Sequence, residues 1–71
     1  MKTKKRYLGL IENKNNNSEF TDYTMAYSPR QAETFLWKRY PWPPYYIKYI
    51  RDTETGEIYF EKDEYGKEVQ M

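Results

Sequence analysis

From Lys5 to Glu12 the chain divides with a period of two, Arg6, Leu8 and Leu10 on one side of an extended chain and Tyr7, Gly9 and Ile11 on the other. That pattern predicts a first strand. The stretch Asn13-Lys14-Asn15-Asn16-Asn17-Ser18 is polar and turn-forming, without an apolar anchor, and reads as a long, mobile hairpin loop. Alternation resumes from Phe20 to Tyr27, which predicts a second strand. Thr21, Tyr23, Met25 and Tyr27 share one of its faces, and Phe20, Asp22, Thr24 and Ala26 the other.

The period changes at Ser28. Ser28-Pro29-Arg30-Gln31 carries the chemistry of a helix start: the Ser28 hydroxyl can accept from the Gln31 N–H, Gln31 can reach back to Ser28, and Pro29 stands where a missing N–H costs nothing. From Pro29 to about Tyr40, at about 100° per residue, Ala32, Phe35, Leu36 and Tyr40 form one stripe, with Trp37 on its flank. Arg39 falls inside that stripe. It must therefore snorkel at the helix end, pair with a carboxylate or stack on a ring, and stacking near Trp42 or Tyr45 is the expectation. Pro41, Pro43 and Pro44 end the helix at or just before Pro41.

Tyr45 to Arg51 and Glu57 to Lys62 read as two further strands, joined through Gly56 in the left-handed position of a three-residue loop, Glu54-Thr55-Gly56. That loop pairs Thr53 with Glu57, Ile50 with Phe60, Arg51 with Tyr59 and Tyr49 with Glu61. Tyr46, Ile50, Ile58 and Phe60 then face the core. Tyr45, Ile47, Tyr49, Arg51, Tyr59 and two glutamates face outward. The expected fold is α+β and two-layered, a four-stranded antiparallel sheet with one helix packed across it, in the order ββαββ. Residues 1–71 form one small domain, with 1–4 and 63–71 expected to be frayed ends.

Composition narrows the chemistry. A chain of 71 residues has room for one small core, which excludes a two-domain enzyme. It has no Cys and no His, so a disulfide framework, a thiolate zinc site and an imidazole proton shuttle are all missing. The carboxylates Glu54, Glu57, Glu61, Asp63, Glu64 and Glu68 lack the spacing of a calcium loop, and an open sheet gives them no deep cleft. Ser18 and Ser28 have no base beside them, and Gly9, Gly56 and Gly66 are isolated. The expectation is no catalytic residue, no metal and no cofactor. Uncharged runs such as Pro41 to Ile47 are far shorter than the roughly 20 apolar residues of a membrane span. The basic start leads into no signal-peptide core, so a cytoplasmic protein without a membrane partner is expected.

What remains is an aromatic surplus. Nine Tyr, three Phe and two Trp exceed what so small a core can hold, so several must be exposed and available for contact. The candidates are Trp37 and Trp42 near the helix end, Arg39 beside them, and the outward set Tyr7, Tyr45, Tyr49, Arg51 and Tyr59. The competing expectation is that Trp37 and Trp42 pack on each other to close the core while the tyrosines cover a solvated face. Charge is uneven: residues 30–51 are basic apart from Glu33, whereas residues 52–71 are acidic, although the formal net charge is only +1.

A protein partner fits exposed Tyr, Trp and Arg among mixed charges, in a monomer or a homodimer. The alternative is a single-domain RNA- or DNA-binding protein that stacks bases on tyrosines of the sheet. Against it stand the small net charge and two glutamates on the same expected face. The Lys, Asn, Tyr and Ile bias matches an AT-rich coding sequence. Together with the small size, it suggests an accessory protein of a phage or mobile element, in the host cytoplasm, that inhibits a host defence factor by occluding a surface.

Overall fold

A computed structural model describes residues 3–62 and residue 67. The elements are β1 (Lys5–Asn13), β2 (Ser18–Ala26), α1 (Pro29–Arg39), β3 (Tyr45–Asp52) and a short β4 (Ile58–Tyr59). They form a four-stranded antiparallel sheet in the order β2-β1-β3-β4 with one helix. Because β1 lies between β2 and β3, the chain must cross over the sheet between them, and α1 fills that crossover on one face. The expected fraying at 1–4 and 63–71 falls mostly outside the described residues; Thr3 and Lys4 are exposed and belong to no strand.

Helix α1 starts as its sequence dictates. The Ser28 hydroxyl oxygen accepts from the Gln31 N–H at 3.1 Å, while the Gln31 side chain accepts from the N–H of Tyr27 at 2.7 Å rather than of Ser28. Replacing Ser28 by alanine should lower stability by about 1 kcal/mol, read as an earlier denaturation midpoint; an unchanged midpoint would mean the cap contributes nothing. The helix closes at Tyr40, whose N–H reaches the Leu36 carbonyl at 2.8 Å. Its buried residues are Ala32, Glu33 and Leu36, while Phe35, Trp37 and Tyr40 are partly buried against the core. Leu36 drops directly over Gly9, where a side chain on β1 would collide with it. The core beneath is Tyr7, Ile11, Ala26, Ile47 and Ile50.

Three expectations are corrected on the strands. The ladder between β1 and β3 shifts register between Leu10 and Ile11, so that Leu10 faces Tyr49, Ile11 faces Ile47, and Lys48 is an extra residue. This is a β-bulge, and it inverts the alternation before it. Ile47 therefore enters the core with no exposure, Tyr45 also turns to the helix side, and Tyr46 passes to the opposite face.

The final hairpin is shifted by one residue as well. Arg51 faces Ile58 and Ile50 faces Tyr59. The cause is Asp52, whose carboxylate accepts from the N–H groups of Glu54 at 2.8 Å and Thr55 at 3.3 Å. Its backbone closes the turn through Gly56 N–H to Asp52 O at 2.7 Å and Asp52 N–H to Glu57 O at 2.9 Å. A four-residue loop, Thr53 to Gly56, replaces the expected three-residue one, with Gly56 at φ +78°. Ile58 consequently points out and is 42% exposed, whereas Tyr59 turns to the helix side. Phe60 follows at φ +56°, a left-handed conformation that breaks the strand alternation, so that Phe60 also packs against the core. The expected fourth strand of residues 57–62 is thereby shortened to two residues.

Candidate protein-binding face of the sheet

The face opposite α1 follows from the ladders, since paired residues share a side of the sheet. One row crosses all four strands as Tyr23, Leu8, Arg51 and Ile58. Beside it lie Met25 with Arg6, and on its other side Thr21, Leu10 and Tyr49. Farther along come Glu19, Glu12 and Tyr46. Leu8, Leu10, Tyr49 and Arg51 are half-buried, while Tyr23 is 53% and Met25 49% exposed. β1 carries apolar residues on both sides, and the one helix among the described residues covers one face of the sheet.

The charges of this face are divided. Arg6 lies over the Tyr23 ring, 5.6 Å from its centre, and Arg51 lies 5.7 Å from the centre of the Tyr49 ring. At the other end, Glu12 pairs with Lys14 at 3.0 Å and Glu19 with Lys48 at 4.0 Å. Tyr46 is buried there under Lys14, 4.7 Å from its ring centre, and under the edge-on ring of Trp42 at 6.3 Å. Glu57, expected to face outward beside Arg51, instead accepts from the Tyr59 hydroxyl at 2.8 Å on the helix side. That hydrogen bond, reinforced by burial, raises the Tyr59 pKa.

Of the residues nominated from sequence, Tyr49 and Arg51 lie together on this face. Trp42, 57% exposed, borders it, and its ring contact is with Tyr46 rather than Trp37. The others sit elsewhere. Tyr7 is a core residue on the helix side, 3% exposed, because Gly9 and Ile11, which share its side of β1, lie under α1. Tyr45 packs edge-on against Phe20 and Tyr40, and Trp37 packs against the core. Tyr59 leaves the face through the hairpin shift. Sequence reasoning nominated none of Leu8, Met25, Tyr23, Arg6 or Ile58. The available signal was the alternation of Tyr23 and Met25 in the second strand, read only as strand pattern.

Arg39 pairs with a carboxylate instead of stacking. Its Nη1 donates to Asp22 Oδ2 at 3.0 Å and to the Tyr23 carbonyl at 2.9 Å, and its Nη2 donates to Thr24 Oγ1 at 3.1 Å. Asp22 Oδ1 accepts from the Tyr23 N–H at 2.8 Å, and Tyr40 donates to Asp22 Oδ2 at 2.8 Å. Since β2 is an outermost strand, these side chains occupy both outward backbone groups of Tyr23 and shield the middle of that edge from another strand.

Two aspartates make this architecture acid-sensitive. Burial pushes the Asp22 pKa up, but the hydrogen bonds from Tyr40, Tyr23 and Arg39 outweigh it and hold the carboxyl below its ordinary value. Asp52 is also lowered, first by the Glu54 N–H, against burial, and further by Thr55 and Lys5. A depressed carboxyl stabilises the fold above its unfolded pKa, near 3.9, and loses that contribution as pH falls through the folded pKa. Denaturation midpoints should therefore hold from neutral pH to about pH 5 and fall below it. In Asp22→Asn and Asp52→Asn variants that acid fall should be shallower; an identical fall would place the sensitivity elsewhere.

No protein-family model, curated protein or solved structure matches this chain. No helix among the described residues is long and apolar enough to cross a membrane.

Proposed function

We propose that this protein is a non-enzymatic protein-binding module that occludes a partner's surface with the sheet face opposite α1. The supporting observation is the row Tyr23, Leu8, Arg51, Ile58 flanked by Met25 and Arg6, which combines exposed apolar side chains with arginine and tyrosine. Aromatic residues, Met and Arg are the types enriched in interface centres. Occlusion of this kind suits an accessory protein of a phage or mobile element acting on a host defence factor.

A photo-crosslinking residue placed at Ile58 or Met25 should give a discrete protein adduct in cells, and one at Thr34, exposed on the helix, should not. Adducts from Thr34 alone would move the contact surface to the helix. The second reading, nucleic-acid binding, gains from the position of Glu57, which leaves the arginine rows without the opposing carboxylate. Adducts that vanish with nuclease and salt would favour it.

A further inference from the structure

We propose that the open face accepts an acidic segment of a protein partner, with a carboxylate gripped between Arg6 and Arg51; this rests on the reading of that face as a protein contact surface. Leu8 pairs with Arg51, and Arg6 precedes Leu8 by two residues on the same side. The two arginines are therefore diagonal neighbours, about 7–8 Å apart at the backbone. Tyr23 and Tyr49 support their guanidinium groups from either flank, which orders them before any ligand arrives.

Their state of pairing sets them apart from the other two arginines. Arg30 and Arg39 each have a carboxylate within 4.0 Å, whereas Arg6 and Arg51, like Lys4 and Lys38, have none among the described residues. Arg51 Nε is moreover buried without a hydrogen-bond acceptor among the described residues, while the residue as a whole is only half-buried. The planar, charged acceptor that a guanidinium fits best is a carboxylate or phosphate. Beside it, Arg6, Tyr23, Thr24, Met25 and Arg39 line a shallow groove around the β2 edge.

The remainder of the face chooses between those two acceptors. Leu8, Leu10, Met25 and Ile58 put aliphatic surface around the arginines, and the Tyr23 and Tyr49 rings each already have a guanidinium beside them. A nucleic-acid backbone continuing along the strands would also meet Glu12 and Glu19. A protein segment with one or two carboxylates among apolar side chains meets neither obstacle.

The test uses the full, isotope-labelled chain and follows its backbone amide resonances. Three probes are titrated: a dodecapeptide of Glu-Glu-Leu repeats, the same peptide with Gln for Glu, and dodecathymidylate. The acidic peptide should shift Arg6, Leu8, Tyr23, Met25 and Arg51 and should bind at least about tenfold more tightly than the glutamine peptide. Arg6→Gln and Arg51→Gln should each reduce that affinity about tenfold. Arg6 is exposed, so its variant keeps the test valid if Arg51→Gln unfolds. Equal binding of the glutamine peptide, or undiminished binding by Arg6→Gln, overturns the carboxylate grip while leaving the face as a contact surface. Binding there by dodecathymidylate alone overturns the protein class. If no probe shifts the face, the acidic partner is overturned, and the Ile58 crosslink separately decides whether the face binds protein at all.

Discussion

Replacing Glu33 by alanine is expected to remove about 3–5 kcal/mol of folding stability, the usual result of stranding one member of a buried ion pair. Glu33 lies on α1 with its side chain almost fully covered, and Oε2 accepts from Lys62 Nζ at 3.0 Å. Lys62 is covered almost as well, its side chain 10% exposed. Oε1 accepts from Arg30 Nη1 at 2.7 Å, and the same Arg30 lies 3.8 Å over the Phe60 ring. One carboxylate thus ties the helix to the segment after β4, whose Lys62 N–H also reaches the Lys48 carbonyl at 2.9 Å.

Without Glu33, the ammonium of Lys62 keeps, among the described residues, only the Phe60 carbonyl at 3.2 Å, too little for a desolvated charge. A loss of that size shifts the melting temperature by well over 10 °C in so small a domain. The companion variant separates charge from packing. Glu33→Leu combined with Lys62→Met should recover most of the loss, because an apolar pair of similar volume replaces a buried ion pair at little cost. Wild-type stability in Glu33→Ala would show that water reaches Lys62, and failure of the double variant to recover would assign the loss to shape rather than charge.

The ion pair also marks where sequence reasoning reached its limit. Glu33 stands as the lone acid in a basic stretch and Lys62 as a cation in an acidic one, yet nothing in periodicity says that they meet, since one is on the helix and the other 29 residues away. What could be read was local: the Ser28 cap, the stop before Pro41, the alternation of β1 and β2, and a four-stranded sheet with one helix. These depend on near neighbours in the chain and survive without knowledge of packing.

The misread positions share one cause. A strand has a period of two, so a single-residue change of register reverses every side chain beyond it. Lys48 makes one such change and Asp52 the other. The bulge at Lys48 sent Ile47 and Tyr45 inward and Tyr46 outward, and the Asp52 turn exchanged Ile58 with Tyr59. An Asp ahead of Thr-Glu-Thr-Gly is a visible turn signal, because its carboxylate can accept from the next N–H groups. The bulge has no comparable local mark. Consequently the proposed contact face was half legible: Tyr49 and Arg51 lie between the two changes and kept their side, while Tyr59 did not.

Gly9 and Leu36 supply the second large effect, and it is one of coupling. The Leu36 side chain fills the space in which a Gly9 side chain would stand, so a methyl group there falls far inside van der Waals contact with Leu36 Cδ1. Leu36 is completely buried. Gly9→Ala should therefore cost about 1–3 kcal/mol by overpacking, and Leu36→Ala about 2–5 kcal/mol by leaving a cavity. Combined, the two changes oppose each other, because the added methyl enters the space that the leucine vacates. The double variant should be more stable than the sum of the single losses predicts, by about 0.5–3 kcal/mol. Urea denaturation of the four proteins measures this directly, provided the slopes stay equal. Simple additivity would mean that α1 is not seated on β1 at Gly9, and the covered and open faces of the sheet would have to be assigned anew.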